Sequence, residues 1–179
     1  MPEPSASPTA TAATARLFVA LWPDARTRQA LAAWRDACRW PPGARPVPNA
    51  KLHLTLHFIG AVPQSRVDEV MSGLAIPARP VVVTLTQVDI WPHGLVVLEP
   101  KTVPDPLCML HVELAAALRA QALPVERRRF RPHVTLAREA VGTQVPPRHP
   151  PLAWRASGHA LVQSLPDGRY QVLRHYRGT

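Results

Sequence analysis

An internal repeat runs through this 179-residue chain and restricts the folds that it can adopt. In each copy, a short apolar strand is followed by an amphipathic helix and then by a second strand. The first copy consists of Leu17–Leu21, a helix that begins at Asp24, and Leu52–Ile59; the second consists of Leu95–Leu98, a helix that begins at Asp105, and Phe130–Ala137. Corresponding elements are offset by 78, 81 and 80 residues. A nearly constant offset between two copies predicts two related lobes.

The rest of the pattern adds strands and a third helix to these lobes. Apolar residues at helical spacing predict the helices. The stripes are Thr27, Leu31, Trp34 and Cys38; Val67, Val70, Met71 and Leu74; and Leu107, Leu110, Leu114 and Leu118. We also predict a strand at Val81–Ile90 that a turn joins to Leu95–Leu98, and a hairpin of Ala160–Leu165 and Tyr170–Tyr176. The predicted fold class is α+β, with two pseudo-symmetric lobes of mainly antiparallel sheet, outer helices and a central cleft.

The N-terminal segment Met1–Ala15 consists of small, polar and proline residues with a single charge. It lacks the basic and leucine-rich regions of a secretory signal. We interpret it as a disordered tail, with a tagging remnant or a misassigned start codon as alternatives. Residues 16–179 are then expected to form a single bilobal domain.

Composition excludes several classes of protein. The hydrophobic fraction of 46% is enough for a sizeable core, and no apolar run reaches the roughly 18 residues that cross a membrane. Two cysteines, seventy residues apart, exclude a disulfide-dense scaffold and a cysteine-based zinc knuckle, and they are typical of a reducing cytosol. The net charge of +9 favours anionic partners, but 19 of the 21 basic residues are arginine, which a GC-rich genome would also produce.

Both second strands of the repeat contain a His-x-Thr-Leu tetrad, at His53–Leu56 and at His133–Leu136. Side chains alternate along a strand, so each histidine shares a face with the threonine two residues later. The intervening Leu54 and Val134 point to the other face and are expected to pack on the helices. His53, Thr55, His133 and Thr135 are then left to line a shared cleft.

Two histidines on either side of one bound group suit an in-line displacement at phosphorus. Imidazole titrates near neutral pH, so one histidine can take a proton from the nucleophile while the other gives one to the leaving oxygen. Threonine hydroxyls can donate hydrogen bonds to the non-bridging phosphate oxygens. This chemistry needs neither a metal nor a cofactor. A single His-x-Thr in a strand is usually structural, but two copies at the same place in a repeat favour a functional pair.

Three segments of the chain resemble the two-histidine phosphoesterases, and more narrowly the bacterial and archaeal RNA 2′,3′-cyclic phosphodiesterases, once called 2′-5′ RNA ligases. They are RLFVALWPD at Arg16–Asp24, LHLTLHFIG at Leu52–Gly60 and FRPHVTLAR at Phe130–Arg138. The resemblance implies a two-lobed fold with a pseudo-twofold cleft, and hydrolysis of a 2′,3′-cyclic phosphate at an RNA end to a 2′-phosphate. It implies that His53 protonates the departing 3′ oxygen and that His133 activates water. Thr55 and Thr135 would hold the phosphate.

Arg138 and Trp91 are two further substrate-binding candidates that the resemblance implies. Arg138 matches an arginine that contacts the phosphate, although strict alternation places it on the face away from His133. Arg138 would return to the face of His133 if the strand bulges, if it ends before Arg138, or if the side chain curls round the edge of the strand. The alternative is a plain surface arginine. Trp91 lies where the family tends to have an aromatic residue near the base pocket, so it is a candidate for stacking on a nucleobase.

Three other features have both a structural and a functional interpretation. His57 shares the face of His53 and could border the cleft, but a hydrogen-bonded structural histidine is the simpler interpretation. Phe58 falls with the leucines and is predicted to be core. A run of arginines precedes the second tetrad and would form either a solvated basic face or a contact to the RNA backbone. These are Arg127, Arg128, Arg129 and Arg131.

The resulting expectation is a metal-independent, monomeric, cytoplasmic enzyme that binds no membrane. Its expected partner is RNA with a 2′,3′-cyclic phosphate end, and tRNA fragments are candidate substrates. Two alternatives stay open. One is a phosphodiesterase for another cyclic phosphate, such as ADP-ribose 1″,2″-cyclic phosphate or a small nucleotide, and the other is a non-catalytic RNA-binding module. The presence of both histidines and both threonines argues against the second, because binding alone would tolerate Arg or Lys in their place.

Overall fold

The computed structural model describes residues 13–77 and 79–178 of the chain. These residues form nine strands and three α-helices. In chain order they are β1 (Thr14–Leu21), α1 (Ala25–Asp36), β2 (Arg45–Pro46), β3 (Leu54–Pro63), α2 (Val67–Gly73), β4 (Val81–Trp91), β5 (Leu95–Pro100), α3 (Asp105–Ala120), β6 (Val134–Arg138), β7 (Leu152–Ala156), β8 (Gly158–Ser164) and β9 (Tyr170–Arg177). Among the helices in these two ranges, none has the length and apolar character to cross a membrane.

Strand β1 begins two residues earlier than the expected domain boundary at Arg16. Thr14 and Ala15 pair with β3, and the side chain of Ala15 is fully buried. Both residues therefore belong to the sheet and not to the tail expected over Met1–Ala15, since backbone pairing extends beyond the apolar run that marked the strand in the sequence. Residues 1–12, the rest of that segment, lie outside the described residues.

The strands form one sheet in the order β7-β4-β5-β6-β3-β1-β8-β9, and β2 pairs with β6 beside this path. All of the pairings are antiparallel. The order consists of two equivalent halves, β3-β1-β8-β9 and β6-β5-β4-β7, which meet where Leu54 pairs with Val134. These two residues hold the same place in the two tetrads, 80 residues apart. The pseudo-symmetric α+β fold predicted from the repeat is confirmed.

The main core lies on the face of the sheet that carries the apolar residues of the tetrads. Leu54 and Leu56 of β3 and Val134 and Leu136 of β6 belong to it, together with most residues of the stripes predicted for the helices. The buried stripe residues of α1 and α3 are Leu31, Trp34, Leu107, Leu110, Leu114 and Leu118. Because these stripes pack on that face, none of the helices that the structure describes covers the polar face of the tetrads.

A bulge interrupts both β3 and β6, three residues after the tetrad histidine. In β3 the extra residue is Leu56, which the register with β1 skips. In β6 it is Leu136, which the register with β5 skips. An extra residue reverses the alternation of the side chains that follow it. The repeat therefore includes the bulge as well as the tetrad.

The bulge at Leu56 overturns two expectations that relied on strict alternation. His57 does not share the face of His53: it is 2% exposed, and its Nε2–H donates to the backbone oxygen of His111 in α3 at 2.8 Å. It is a structural histidine. The prediction that Phe58 is core is wrong, because the ring is 39% exposed and pairs with Phe18 on the other face of the sheet.

Candidate active site

His53 and His133 lie directly before β3 and β6, one residue ahead of the pair at which the two halves meet. In an antiparallel pairing about that point, His53 lies opposite Thr135 and His133 lies opposite Thr55. All four side chains are half-buried, whereas the residues between them are fully buried. The structure thus brings together the four residues that the tetrads predict, two from each half.

The two imidazoles have the same hydrogen bond on Nδ1. In His53 this nitrogen lies 2.6 Å from the backbone oxygen of Lys51, and in His133 it lies 2.8 Å from that of Arg131. Because a carbonyl oxygen can only accept, Nδ1 carries the proton in both neutral rings. Nε2 is then the nitrogen left for acid–base chemistry. In His53 it lies 3.0 Å from Oγ1 of Thr55, whose hydroxyl can donate to the neutral ring.

Aromatic rings surround His53. They belong to Phe18, Tyr170 and Trp22, whose centroids lie 4.9, 5.5 and 5.8 Å from that of the imidazole. Burial lowers the pKa of His53 to about 4, and the positive charges of His133, Arg28 and Arg138 also lower it. His53 is therefore neutral at pH 7 in the free protein.

His133 has an ionic environment instead. The ring of Trp91 lies 4.4 Å away between centroids, and the Glu99 carboxylate and the Arg128 and Arg131 guanidiniums lie nearby. Burial lowers the pKa of His133 from its ordinary value of 6.5. The hydrogen bond to Arg131 and the negative charge of Glu99 act in the opposite direction. The two halves thus hold equivalent histidines in unlike surroundings.

The bulge at Leu136 decides the position of Arg138. It turns this exposed side chain to the face of His133 and Thr135. Of the three explanations that the sequence left open, the structure therefore favours the bulge. The charge of Arg138 is close enough to His53 to lower its pKa. The charge of a residue in one half therefore acts on the histidine of the other half.

Residues 22–169 match the family model of the 2′-5′ RNA ligase superfamily. The chain belongs to this superfamily. The match confirms the resemblance inferred from the three sequence segments.

Two curated proteins are similar to the chain along most of its length. The RNA 2′,3′-cyclic phosphodiesterase of Escherichia coli (strain K12) is 38% identical over 133 residues, which cover 70% of this chain and 72% of that protein. The RNA 2′,3′-cyclic phosphodiesterase of Thermus thermophilus is 31% identical over 176 residues, which cover 90% and 89%. The crystal structure of E. coli LigT complexed with 3′-AMP superposes with a TM-score of 0.82 at 28% identity, covering 93% of this chain and 99% of that one.

The ring of Trp91 is not freely exposed for stacking on a nucleobase. The ring is half-buried, and the Arg131 guanidinium lies over it, 4.3 Å from the centroid. The imidazole of His133 contacts it as well. The stacking role expected for Trp91 stays a prediction, and its contacts favour support of His133.

The arginines before the second tetrad divide into two groups. Arg131 forms ion pairs with Glu99 and Asp89, each at 2.9 Å, so it is not part of a free basic face. Arg128 pairs with Glu126 at 2.9 Å and remains largely exposed. The possible contact to an RNA backbone therefore narrows to Arg127, Arg128 and Arg129.

Several residues of the site were missed in the sequence. Phe58 faces the cleft only because of the bulge, for which the sequence contains no signal. Phe18 and Trp22 could have been found, because period-2 alternation in LFVALW places them on one face. Glu99 was also detectable as a single carboxylate in the apolar run LVVLEP, a residue type that is rarely buried without a partner.

Proposed function

We propose that the chain hydrolyses the 2′,3′-cyclic phosphate at an RNA end to a 2′-phosphate, with His53 and His133 as acid and base and without a metal ion. The observation that carries this proposal is the meeting of two His-x-Thr pairs, each histidine with Nδ1 satisfied and Nε2 left for proton transfer. The names of the two curated relatives support the substrate class. The cytoplasmic location, the monomeric state and tRNA fragments as substrates stay predictions.

The proposed reaction balances with one water molecule. One neutral imidazole takes a proton from water through Nε2 while the water oxygen forms a bond to phosphorus. The bond from phosphorus to the 3′ oxygen breaks, and the other, protonated imidazole gives its proton to that oxygen. Thr55 and Thr135 donate to the non-bridging oxygens, and Arg138 neutralises the developing charge. Exchange of protons with solvent then restores the starting state.

The surroundings of the histidines support His133 as the base. When it takes a proton from water, the Glu99 carboxylate stabilises the imidazolium that forms. His53 must carry a proton beforehand, and a bound phosphate anion beside it raises its pKa. This is the order that the resemblance implies.

The deciding experiment uses an oligonucleotide with a 2′,3′-cyclic phosphate, incubated in EDTA, and identifies the product end. We expect a 2′-phosphate. Loss of activity on chelation that zinc or manganese restores would show that the histidines bind metal. ADP-ribose 1″,2″-cyclic phosphate, offered as a competing substrate, tests the first alternative function, a phosphodiesterase for another cyclic phosphate. Tight RNA binding without turnover would favour the second alternative, a non-catalytic RNA-binding module.

Variants test the roles of the two histidines. His53→Ala and His133→Ala should each reduce kcat on the order of 10²–10⁴-fold, and the double variant should lose less than the product because the residues act as a unit. Replacing the 3′ oxygen by sulfur gives a leaving group that needs no acid, so it should rescue His53→Ala and not His133→Ala. Rescue of His133→Ala alone would reverse the assignment. His175→Ala, an exposed histidine on β9, is the control.

A further inference from the structure

We infer that Glu99 is a positioning residue for His133: it holds Arg131, and Arg131 in turn fixes the imidazole for proton transfer. The inference deepens the proposed function and rests on it. The hydrogen bonds of Glu99 are to Arg131 and Gln87, so it positions His133 through Arg131, and its negative charge acts on the imidazole in addition.

Glu99 is a buried carboxylate with its hydrogen bonds satisfied. It lies on β5 and is 5% exposed. Its two oxygens accept from Arg131 in parallel, Oε2 from Nε at 3.1 Å and Oε1 from Nη2 at 2.9 Å. Gln87 of β4 also donates to Oε1, at 3.2 Å. Two parallel bonds fix the plane of the guanidinium as well as its position.

Arg131 reaches His133 in two ways. Its backbone oxygen accepts the Nδ1–H of His133 at 2.8 Å. This bond fixes the tautomer and determines which edge of the ring faces the backbone. Its guanidinium lies over Trp91, 4.3 Å from the centroid, and Trp91 contacts the imidazole at 4.4 Å between centroids. The imidazole of His133 is thus held along one edge by the backbone oxygen of Arg131 and on one side by the ring of Trp91. The Glu99–Arg131 pair holds both of these groups in place.

A purely stabilising role does not explain this arrangement. The Arg131 side chain is 55% exposed, so water screens its attraction to Glu99, while the buried carboxylate still has to be desolvated; such a pair adds little net stability. A second carboxylate, Asp89 of β4, already pairs with Arg131 at 2.9 Å near the surface. The charged or titratable groups near His133 are Glu99 from β5, Arg128 and Arg131 from the segment before β6, and His53 from the other half. Glu99 is the one carboxylate in this set, and it favours the protonated ring.

The test is Glu99→Gln, which keeps the size of the side chain and one oxygen acceptor. We expect kcat for a mononucleoside 2′,3′-cyclic phosphate to fall roughly 10- to 100-fold with KM changed little, as for a misplaced catalytic group. The pKa of His133, measured by NMR titration of its ring protons, should fall. In a His133→Ala background, Glu99→Gln should cause no further loss. Glu69→Gln, which breaks the surface pair with Arg66, is the matched control and should change none of these values.

A Glu99→Gln protein with reduced melting temperature but normal kcat and normal His133 titration would overturn the inference and leave the pair structural. If Glu99→Gln does not fold, Arg131→Lys tests the same link, because lysine keeps the charge but cannot make two parallel bonds. The titration needs no turnover. If the wild-type protein hydrolyses no cyclic phosphate, the proposed function fails, and an unchanged pKa of His133 still separately overturns the link to Glu99.

Discussion

His53 and His133 exchange protons through Nε2 in the proposed reaction, so their pKa values set its pH dependence. Activity needs one ring protonated and the other neutral, which gives a bell-shaped profile. Unperturbed imidazoles would place the optimum near neutrality. Burial lowers both pKa values from 6.5, that of His53 to about 4, so the required protonated form is lost at lower pH. We expect the optimum of kcat/KM below pH 6.5.

The profile of kcat at saturating substrate should lie at higher pH, because the bound phosphate anion raises both pKa values. Rates on a mononucleoside cyclic phosphate between about pH 4 and pH 9 test this, with circular dichroism as the control for unfolding. A kcat/KM optimum at or above pH 7 would contradict the lowered pKa values.

Besides Trp91, Phe58 is a second aromatic candidate for stacking on a nucleobase. Its ring is 39% exposed, and the Arg16 guanidinium lies 4.9 Å from the centroid. Stacking of one base on an aromatic ring is worth about 1–3 kcal/mol. Phe58→Ala should therefore raise KM for a cyclic-phosphate oligonucleotide with little change in melting temperature. Phe58→Tyr keeps the ring and should restore binding, whereas equal KM values in all three proteins would exclude the stacking role.

Helix α1 begins at a side-chain cap whose strength depends on pH. Oδ1 of Asp24 accepts the backbone N–H of Thr27 at 2.7 Å, and this bond lowers the pKa of the carboxyl from 3.8. Asp24→Ala should reduce the free energy of unfolding by about 0.5–2 kcal/mol at neutral pH. Because the folded pKa is the lower one, the contribution is complete above the unfolded pKa and disappears as pH falls through the folded pKa. Chemical denaturation at two pH values measures it.

The matched control for the cap is Asp36→Ala at the other end of α1. Asp36 is exposed and pairs with Arg35 at 2.8 Å, a contact of the kind that adds little stability. A loss at Asp36 as large as that at Asp24 would contradict the capping argument.

The elements of the chain differ in how far their sequence predicts them. Helices α1 and α3 were predictable because their buried stripes keep a helical period over several turns. Strand β7 was missed because Leu152–Ala156 is short and follows a segment with four prolines, Pro146, Pro147, Pro150 and Pro151. The bulges at Leu56 and Leu136 could not be predicted, because an inserted residue changes side-chain direction without any characteristic composition.

The same distinction applies to the candidate site. The tetrad residues were predictable because they occur twice at the same place in a repeat. The partnership of Glu99 with Arg131 joins residues 32 positions apart on different strands or segments, so it depends on tertiary contacts that no local pattern contains. The direction of Arg138 required the bulge.

At the scale of the whole molecule, we expect the net charge of +9 to attract RNA beyond the cleft. The exposed arginines Arg127, Arg128 and Arg129 would meet an RNA backbone in solvent, where charge is screened over about 8 Å at physiological salt. Neutralising all three should raise KM for a long RNA and flatten its salt dependence, while a mononucleoside cyclic phosphate is nearly unaffected. Paired kinetic series at low and moderate salt measure this effect.

Arg79→Gln, an exposed arginine outside that cluster, is the control for the loss of a surface charge. If the triple variant slows the mononucleotide as much as the RNA, the cluster acts on folding or catalysis and not on RNA attraction.

Duplication of one half of such a sheet would begin with two identical histidines. Identical groups in identical surroundings have no preference for the role of acid or base. In the present chain, Trp22 and Glu99 occupy equivalent positions, because each follows the residue that pairs with the central tetrad residue of its half, Leu54 or Val134. One position thus presents an indole to the first histidine and a carboxylate near the second. Divergence at this one duplicated position therefore contributes to the different surroundings of two imidazoles that a duplication would have made equal.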